Sequence, residues 1–342
     1  MLYGAYGTTG RRILNEALSR GHRPILAGRD GAQLAALGKA TGLDTLAVAL
    51  EDGPALRAAL SSVAVVLHAA GPFQLTGPLM RAACLDAGCS YLDVNGEIGD
   101  FGAALACDAK ARETGVGIIP GVGYGVVFAE CVAVHLAARL PEADWLRLSL
   151  ATQNEGSSRG AQMSAAAVIT AGGRDIFRGK LRRQALAHSN WRTPGTETLE
   201  TRFSSAPLAE LLAAQRSTGI PTIVTGIPLP RTTATLLRIS GPLLGRLMTW
   251  QARRASKVSQ PSSRSASTVA PRSRVWAEVG TAAGAYAAAV LETGEGYHAA
   301  AAAAVRALEL QLLQPRIGAL TPVQAFGADF ALLVPGTTIR DL

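Results

Sequence analysis

The sequence predicts an α/β fold, with a doubly wound parallel sheet in its N-terminal part and a further domain behind it. Three observations carry that prediction. Glycines at Gly4, Gly7 and Gly10 follow an apolar dipeptide at the start of the chain. Three later apolar runs, VAVVLHAAGPF, GCSYLDVNGE and GVGIIPGVGYG, each end in glycine- or proline-rich turns, as strands buried on both faces of a parallel sheet do. Alanine is abundant while aromatic residues make up 5%, which suits helices packed closely on a sheet rather than a β-sandwich. At 342 residues and 48% apolar, the chain is long enough for two domains of ordinary size.

The first element is the strand Leu2–Tyr3, followed by the turn GAYGTTG and a helix over Arg11–Arg20 in which Ile13, Leu14, Ala17 and Leu18 recur at helical spacing. In such a unit one glycine permits the tight turn, a second lets a pyrophosphate approach the backbone, and a third allows the helix to pack on the strand. The helix start offers N–H groups and a partial positive charge to an anion. Arg11 and Arg12, placed in the first helical turn, oppose the helix dipole unless a negative ligand lies there. The spacing alone also fits an ordinary glycine turn.

HRPILAGRD supplies the second strand, Pro24–Ala27. It ends about twenty residues after the glycines, where a ribose-reading residue is expected. Arg29 stands there. An arginine forks a 2′-phosphate whereas an acid pairs with the ribose hydroxyls, so NADP (as NADPH) is favoured over NAD; the adjacent Asp30 keeps NAD as the weaker alternative.

The three remaining strands end at Gly71-Pro72-Phe73, Asn95-Gly96-Glu97 and Pro120-Gly121. In a doubly wound sheet such turns line one crevice outside the carboxyl ends. The candidate cofactor contacts are therefore Gly4, Tyr6, Gly7, Thr8, Thr9 and Gly10 in the first turn, Arg29 after the second strand, Ala70, Gly71, Pro72 and Phe73 after the third run, and Asn95, Gly96 and Gly121 in the last two turns.

Taken in order, GAYGTTG, Gly28-Arg29-Asp30, HAAGPF, YLDVNGE, PGVGYG, the SRG at Ser158–Gly160, the STGIP at Ser217–Pro221 and the TPVQAFGADF at Thr321–Phe330 resemble the saccharopine dehydrogenase-like oxidoreductases, especially the branch containing trans-acting enoyl reductases. The resemblance runs nearly end to end. It implies an N-terminal Rossmann domain, a second α+β domain built on a largely antiparallel sheet, and hydride transfer from a nicotinamide cofactor to an activated C=C (enoyl or enone) or C=N (imine) bond in lipid or natural-product biosynthesis. Domain boundaries follow: 1–122 for the NADP-binding domain, 123–317 for the substrate domain, and 318–342 for a segment returning to the first. One loop departs from the family pattern. Where an acid and a proline are usual, PGVGYGVVFAE has Gly125 and Phe128, so a carboxylate role at the first position is lost, and whether Glu130 substitutes for the second is left open.

Within the second domain, ADWLRLSLAT reads as a strand, RGAQMSAAAVITAG as a helix, and RVWAEVGTAAGAYAAAVLE as two strands turning at Ala283-Gly284. GYHAAAAAAVRALELQLLQ reads as a long helix ending near Gln314-Pro315. GSSRG at Gly156–Gly160 matches the GxSxG nucleophile pattern. A hydrolase also needs an acid and a histidine, and the later His188 and His298 sit in polar or alanine-rich settings; we instead expect Ser158 and Arg159 to face the substrate, as the family's SRG stretch implies. No tyrosine is followed four residues later by lysine, so a short-chain-dehydrogenase pair is absent. Tyr124, where the resemblance places cofactor and substrate, is the candidate proton donor; packing against the nicotinamide is its alternative role.

The net charge of +8 is unevenly spread. Leu211–Ala277 holds ten basic residues and no acid, leaving 23 basic and 25 acidic residues elsewhere. In TTATLLRISGPLLGRLMTWQARR, Leu236, Ile239, Leu243, Leu247 and Trp250 share helical spacing with Arg238, Arg246, Arg253 and Arg254. Two readings stand: a core helix followed by a solvated loop over about 253–274, or a face that meets an anionic membrane surface, a CoA phosphate or an acyl carrier protein. Nucleic acid is a poor fit without an aromatic platform. A small-molecule or carrier-linked substrate is the expected partner, with a homodimer compatible; a non-catalytic NADP-binding protein docked through the basic segment is the rival function. Cys84, Cys89, Cys107 and Cys131 lack CxxC spacing, so we expect buried free thiols and no metal. No uncharged apolar run reaches the roughly 18 to 20 residues of a membrane span, and no signal-peptide pattern precedes the first glycine. The expected location is the cytosol, with peripheral membrane association as a variant.

Overall fold

The structure, a computed structural model, describes residues 1–152, 169–170, 172–196, 202–240 and 272–342. They form two units: Met1–Asn95 with Gly99–Val127 and Tyr297–Val334, and Gly96–Ile98 with Phe128–Gly296 and Pro335–Leu342.

The first unit is built on a parallel sheet. Its strands are β1 (Leu2–Tyr3), β2 (Leu26–Gly28), β3 (Thr45–Ala47), β4 (Val65–His68), β5 (Ser90–Asp93), β6 (Gly117–Ile119) and the short strand Gly318–Ala319. From edge to edge the order is Gly318–Ala319, β6, β5, β4, β1, β2, β3, and every pair is parallel. The chain runs outward from β1 through β2 to β3, then returns to β4 on the other side of β1. That reversal creates a topological switch point at the carboxyl ends of β1 and β4.

Helices α1 (Thr8–Ser19), α2 (Gly31–Thr41), α3 (Gly53–Leu60), α4 (Phe73–Ala87), α5 (Ile98–Leu105) and α6 (Asp108–Thr114) connect these strands. Tyr3, Val66, Tyr91 and Ile118 from the sheet meet Leu56, Leu60, Met80 and Ala104 in one core cluster. Burying a large apolar side chain of this kind contributes about 1.5–3 kcal/mol. The helix Gly296–Leu313 follows the sequence expectation, and from Tyr297 onward it counts with this unit. Its buried Ala299, Ala300, Ala301, Ala303 and Ala304 allow close packing.

Two strands of this sheet were not foreseen. β3 carries exposed and half-buried side chains, as an edge strand does, so no apolar run marks it. Gly318–Ala319 is too short to show a pattern. A third difference concerns α1, which begins at Thr8 and so places Arg11 and Arg12 deeper in the helix than expected.

The chain passes from the first unit to the second within α7 (Tyr124–Arg139). The second unit's strands are β7 (Trp145–Ala151), β8 (Gly173–Phe177), β9 (Lys180–Gln184), β10 (Asn190–Trp191), β11 (Arg202–Ser205), β12 (Thr222–Leu229), β13 (Ser273–Gly280), β14 (Tyr286–Thr293) and the strand Thr338–Asp341. The order is β10, β11, β12, β7, β13, β14, Thr338–Asp341, with β8 and β9 branching from β12. Only β7 and β12 run parallel among these pairs; the rest are antiparallel. β13 and β14 pair fully from Ser273↔Thr293 to Gly280↔Tyr286, the hairpin that the sequence signals.

The Arg159–Gly172 helix reading lies almost entirely outside the described residues, as does the serine-rich stretch up to residue 271. Cys84, Cys89 and Cys131 are buried and Cys107 is half-buried, all as free thiols. Among the described residues no helix is long and apolar enough to cross a membrane.

Candidate dinucleotide site

The three glycines divide the work at the carboxyl end of β1. Gly4 has φ +85°, and a Cβ there would stand 2.9 Å from the Ala70 backbone nitrogen and Cβ. It is the turn position: its N–H still donates to the Ala27 carbonyl of β2 at 2.8 Å, and its own carbonyl accepts from Gly7 N–H at 3.0 Å, closing the turn. Gly10 packs so closely on the Gly4 carbonyl that any Cβ would collide with it. Gly7 differs. It is the N-cap of α1 in extended conformation, no side chain caps the helix there, and a Cβ would meet only the Gly4 carbonyl oxygen, at 3.3 Å. The first N–H groups of a helix have no acceptor within it, so Thr8, Thr9 and Gly10 present donors to an open, side-chain-free approach. Arg11 reaches back to donate Nε–H to the Tyr6 carbonyl at 3.0 Å, and Arg12 stacks 4.7 Å over the Tyr297 ring.

At the end of β2 the Tyr6 ring lies against Gly28, where a Cβ would come 2.6 Å from its Cε1. Asp30 N–H donates to the Tyr6 hydroxyl at 3.3 Å. The Asp30 carboxylate accepts from Gln33 N–H at 3.0 Å and from Gln33 Nε2 at 2.7 Å, capping α2. These bonds hold its carboxyl below the usual range. Arg29, the neighbour, is exposed.

The Ala70–Phe73 turn is pinned from below. Thr76 Oγ1 donates to the Ala70 carbonyl at 2.7 Å, with the Pro72 carbonyl at 3.1 Å. His68 Nε2 lies 3.1 Å from the same hydroxyl, which leaves Nε2 as donor and Nδ1 as a buried acceptor with no partner. Burial, with Arg81 adding to it, pushes the His68 pKa down to about 3, so the ring is neutral. Phe73 meets it edge-on at 5.4 Å.

At the ends of β5 and β6 a buried polar cluster sets the turn geometry. Asp93 accepts from the Tyr91 hydroxyl at 2.6 Å, from Asn95 N–H at 2.9 Å and from Gly121 N–H at 2.7 Å. Burial raises its pKa to about 6 despite those three donors. Asn95 turns its side-chain amide inward to Asp100 at 2.8 Å, and Asp100 takes a two-bond fork from Arg81 at 2.6 and 2.8 Å. Gly77 makes room for this pair, since a Cβ there would come 2.5 Å from Asp100 Oδ2. Gly121, with φ +75°, fits between Phe101 and Val126. Tyr124 follows as the buried first residue of α7.

The structure therefore brings the Gly4–Gly10 turn, Arg29, the Ala70–Phe73 turn, Asn95, Gly121 and Tyr124 onto the carboxyl-end side of one sheet. Gly96 belongs to the short segment Gly96–Ile98 that counts with the second unit. Ser158 and Arg159 lie outside the described residues. His68, Arg81, Tyr91, Asp93 and Asp100 were missed; the available signal was a polar residue closing an apolar strand, as in VVLH and SYLD.

A family model described as NAD(P)H-binding matches residues 4–88, the segment from the first glycine through α4. A probable mitochondrial saccharopine dehydrogenase-like oxidoreductase of Arabidopsis thaliana is 30% identical over 148 residues, 38% of this chain and 32% of that protein. The match thus spans about a third of that relative's length. Apo saccharopine dehydrogenase (L-Glu forming) from Saccharomyces cerevisiae superposes with a TM-score of 0.62 at 12% identity, covering 100% of this chain and 99% of that one. The chain thus shares the fold of saccharopine dehydrogenase, and its residues 4–88 carry the NAD(P)H-binding match. Homospermidine synthase from Legionella pneumophila, solved in complex with NAD, shares the fold with a TM-score of 0.60 at 10% identity over 100% of this chain and 90% of that one.

Two residues flagged by the family resemblance meet inside the second unit. Glu130, the acid retained in the altered loop, is fully buried on α7, and the hydroxyl of Ser217, from the STGIP stretch, donates to its carboxylate. His188 is less ordinary than its sequence setting suggested: Nδ1 lies 2.9 Å from Ser205 Oγ and Nε2 3.5 Å from Asp175. Asp175 is itself forked by Arg182 at 2.7 and 3.0 Å. That contact set staples β8 and β9 to the β11 end. Arg238, read as part of a docking face, donates through Nε and Nη2 to the Ala187 carbonyl at 3.0 and 2.6 Å.

Proposed function

We propose that the chain is an NADPH-dependent reductase that adds hydride to an activated C=C or C=N bond of a small or carrier-linked metabolite in lipid or natural-product biosynthesis, acting in the cytosol. The observation that carries this is the Gly4–Gly7–Gly10 turn: two glycines that packing requires, and a third at the uncapped helix start where a Cβ would meet only the Gly4 carbonyl oxygen, at 3.3 Å. That arrangement fits a dinucleotide diphosphate, because backbone donors and the helix dipole converge where a Cβ is absent. When bound, the reduced nicotinamide supplies the hydride.

The residues then divide as follows. Thr8, Thr9 and Gly10 donate backbone N–H groups to the diphosphate. Arg29 pairs with the 2′-phosphate, since the neighbouring Asp30 spends its carboxylate on capping α2 and Arg29 stays exposed. Ala70–Phe73, Asn95 and Gly121 shape the walls toward the nicotinamide, and Tyr124 packs at that end. Ser158 and Arg159 keep the substrate-facing role implied by the family's SRG stretch. Replacing Gly7 with valine tests the reading: NADPH affinity, followed by nucleotide fluorescence, should fall at least about tenfold, some 1.4 kcal/mol, with melting little changed. Unchanged affinity would remove the reading. Turnover is tested by incubating the protein with NADPH and a panel of enones, enoyl thioesters and cyclic imines while following absorbance.

A non-catalytic, docked NADP-binding protein is the second reading. Leu236 and Ile239, 55% and 80% exposed on the helical residues 231–240, favour it. Co-sedimentation with anionic vesicles or an acyl carrier protein, sensitive to salt, would support it; steady NADPH oxidation with any panel member would defeat it.

A further inference from the structure

His68 closes β4 and is fully buried. Of its two ring nitrogens only one has a partner: Nε2 lies 3.1 Å from Thr76 Oγ1, and Nδ1 has none. Tyr3, Phe73 and Tyr91 surround the ring at centroid distances of 5.5, 5.4 and 6.1 Å. An apolar side chain of similar volume would fill such a setting without stranding an acceptor. What histidine adds here is the Nε2–H.

That donor acts on a hydroxyl with a choice to make. Thr76 Oγ1 carries a single proton and reaches two carbonyls, Ala70 at 2.7 Å and Pro72 at 3.1 Å. The Nε2–H of His68 occupies a lone pair of the hydroxyl and fixes its rotor, so the proton stays on the nearer carbonyl. The Ala70 carbonyl is thereby held down onto α4. In a trans peptide the following N–H points opposite to the carbonyl, so across the trans Ala70–Gly71 bond the Gly71 N–H is aimed away from α4. Gly71 is exposed, and among the described residues no hydrogen-bond acceptor takes that N–H.

The strand order decides what this donor meets. β4 lies on one side of β1 and β2 on the other, and a ligand at the switch point crosses the carboxyl ends of all three. With the diphosphate on the turn after β1 and the 2′-phosphate on Arg29 after β2, the turn after β4 is left to the nicotinamide half. The two turns touch directly, since a Cβ on Gly4 would stand 2.9 Å from the Ala70 nitrogen. All of these residues belong to the first unit.

We propose that His68 and Thr76 are positioning residues that aim the Gly71 N–H at an oxygen on the nicotinamide half of the bound dinucleotide; this rests on the dinucleotide reading above. Neither side chain touches the nucleotide. Their effect is carried by the orientation of one peptide group.

The test compares two probes on the full chain: NADPH, and adenosine 2′,5′-bisphosphate, which lacks the nicotinamide half. Thermal melting is read on the same samples. We expect His68→Leu to lower NADPH affinity about three- to tenfold, the share of one neutral hydrogen bond, while affinity for the bisphosphate changes less than about twofold. Melting should stay at or above the wild-type temperature, because the stranded acceptor is gone; a merely structural histidine would lower it and leave the ratio of the two affinities unchanged. Thr76→Val should give the same selective loss, and the His68→Leu, Thr76→Val double variant should lose no more than Thr76→Val alone, since both act through one chain of bonds. His68→Gln and Thr76→Ser, which keep the donor and the hydroxyl, should recover most of the affinity, and they carry the comparison if His68→Leu does not fold. Equal losses for the two probes, or no loss for either, would overturn the positioning role and leave the dinucleotide reading standing. Wild-type protein that binds neither probe would overturn both.

Discussion

Arg81 and Asp100 form a two-bond fork, 2.6 and 2.8 Å, with both side chains at most 4% exposed. Nineteen residues apart in sequence, they tie α4 to α5 directly beneath the Asn95 turn. Breaking a buried pair strands a charge, whereas removing both charges does not. We therefore expect Arg81→Ala to cost about 3–5 kcal/mol of stability. An Arg81→Met, Asp100→Leu double variant should lie well above the single one in urea unfolding. Equal losses in both would mean that the fork's partners are not stranded by single removal.

Gly10→Ala drives a Cβ into the Gly4 carbonyl. Overpacking of this kind costs about 1–3 kcal/mol, and the displaced turn should also weaken NADPH binding. Thermal melting and nucleotide titration on the same sample check both; a variant unaffected in both measurements would contradict the close approach.

Arg29→Ala should lower NADPH affinity about 10- to 100-fold, the equivalent of one charged hydrogen-bonding partner worth about 1.5–3 kcal/mol. NADH affinity should hardly move. Parallel losses for the two nucleotides would assign Arg29 elsewhere.

Asp93 and His68 pull the acid side of the stability curve in opposite directions. The Asp93 pKa is raised in the fold to about 6 from 3.8, so its contribution is fully present below the unfolded value and is lost as pH rises through about 6. The His68 pKa is depressed to about 3 from 6.5, so its contribution is present above the unfolded value and is lost as pH falls toward 3. Asp93→Asn keeps an oxygen for the Asn95 and Gly121 amides but removes the first term. Stability measured by urea unfolding from pH 6 down to pH 4 should consequently fall more steeply in the variant than in the wild type.

The architecture was legible because burial on both faces of a parallel sheet writes itself as uninterrupted apolar runs, and VVLH, SYLD and GII are such runs. The glycine roles were legible too, since Gly4 and Gly10 answer to steric demands that no other residue meets. What stayed hidden was pairing at a distance. Nothing in a single sequence announces that Arg81 reaches Asp100, or that Asn95 turns its amide inward rather than toward a ligand. Asp30 shows the same limit: its acid looked like a ribose reader, yet its geometry is that of a helix cap.

One oxygen, Oδ1 of Asp93, accepts from both the Asn95 and the Gly121 amides, at 2.9 and 2.7 Å. The two loops hang from a common peg, so re-cutting either one drags the other along, and any redesign has to treat them as a matched set.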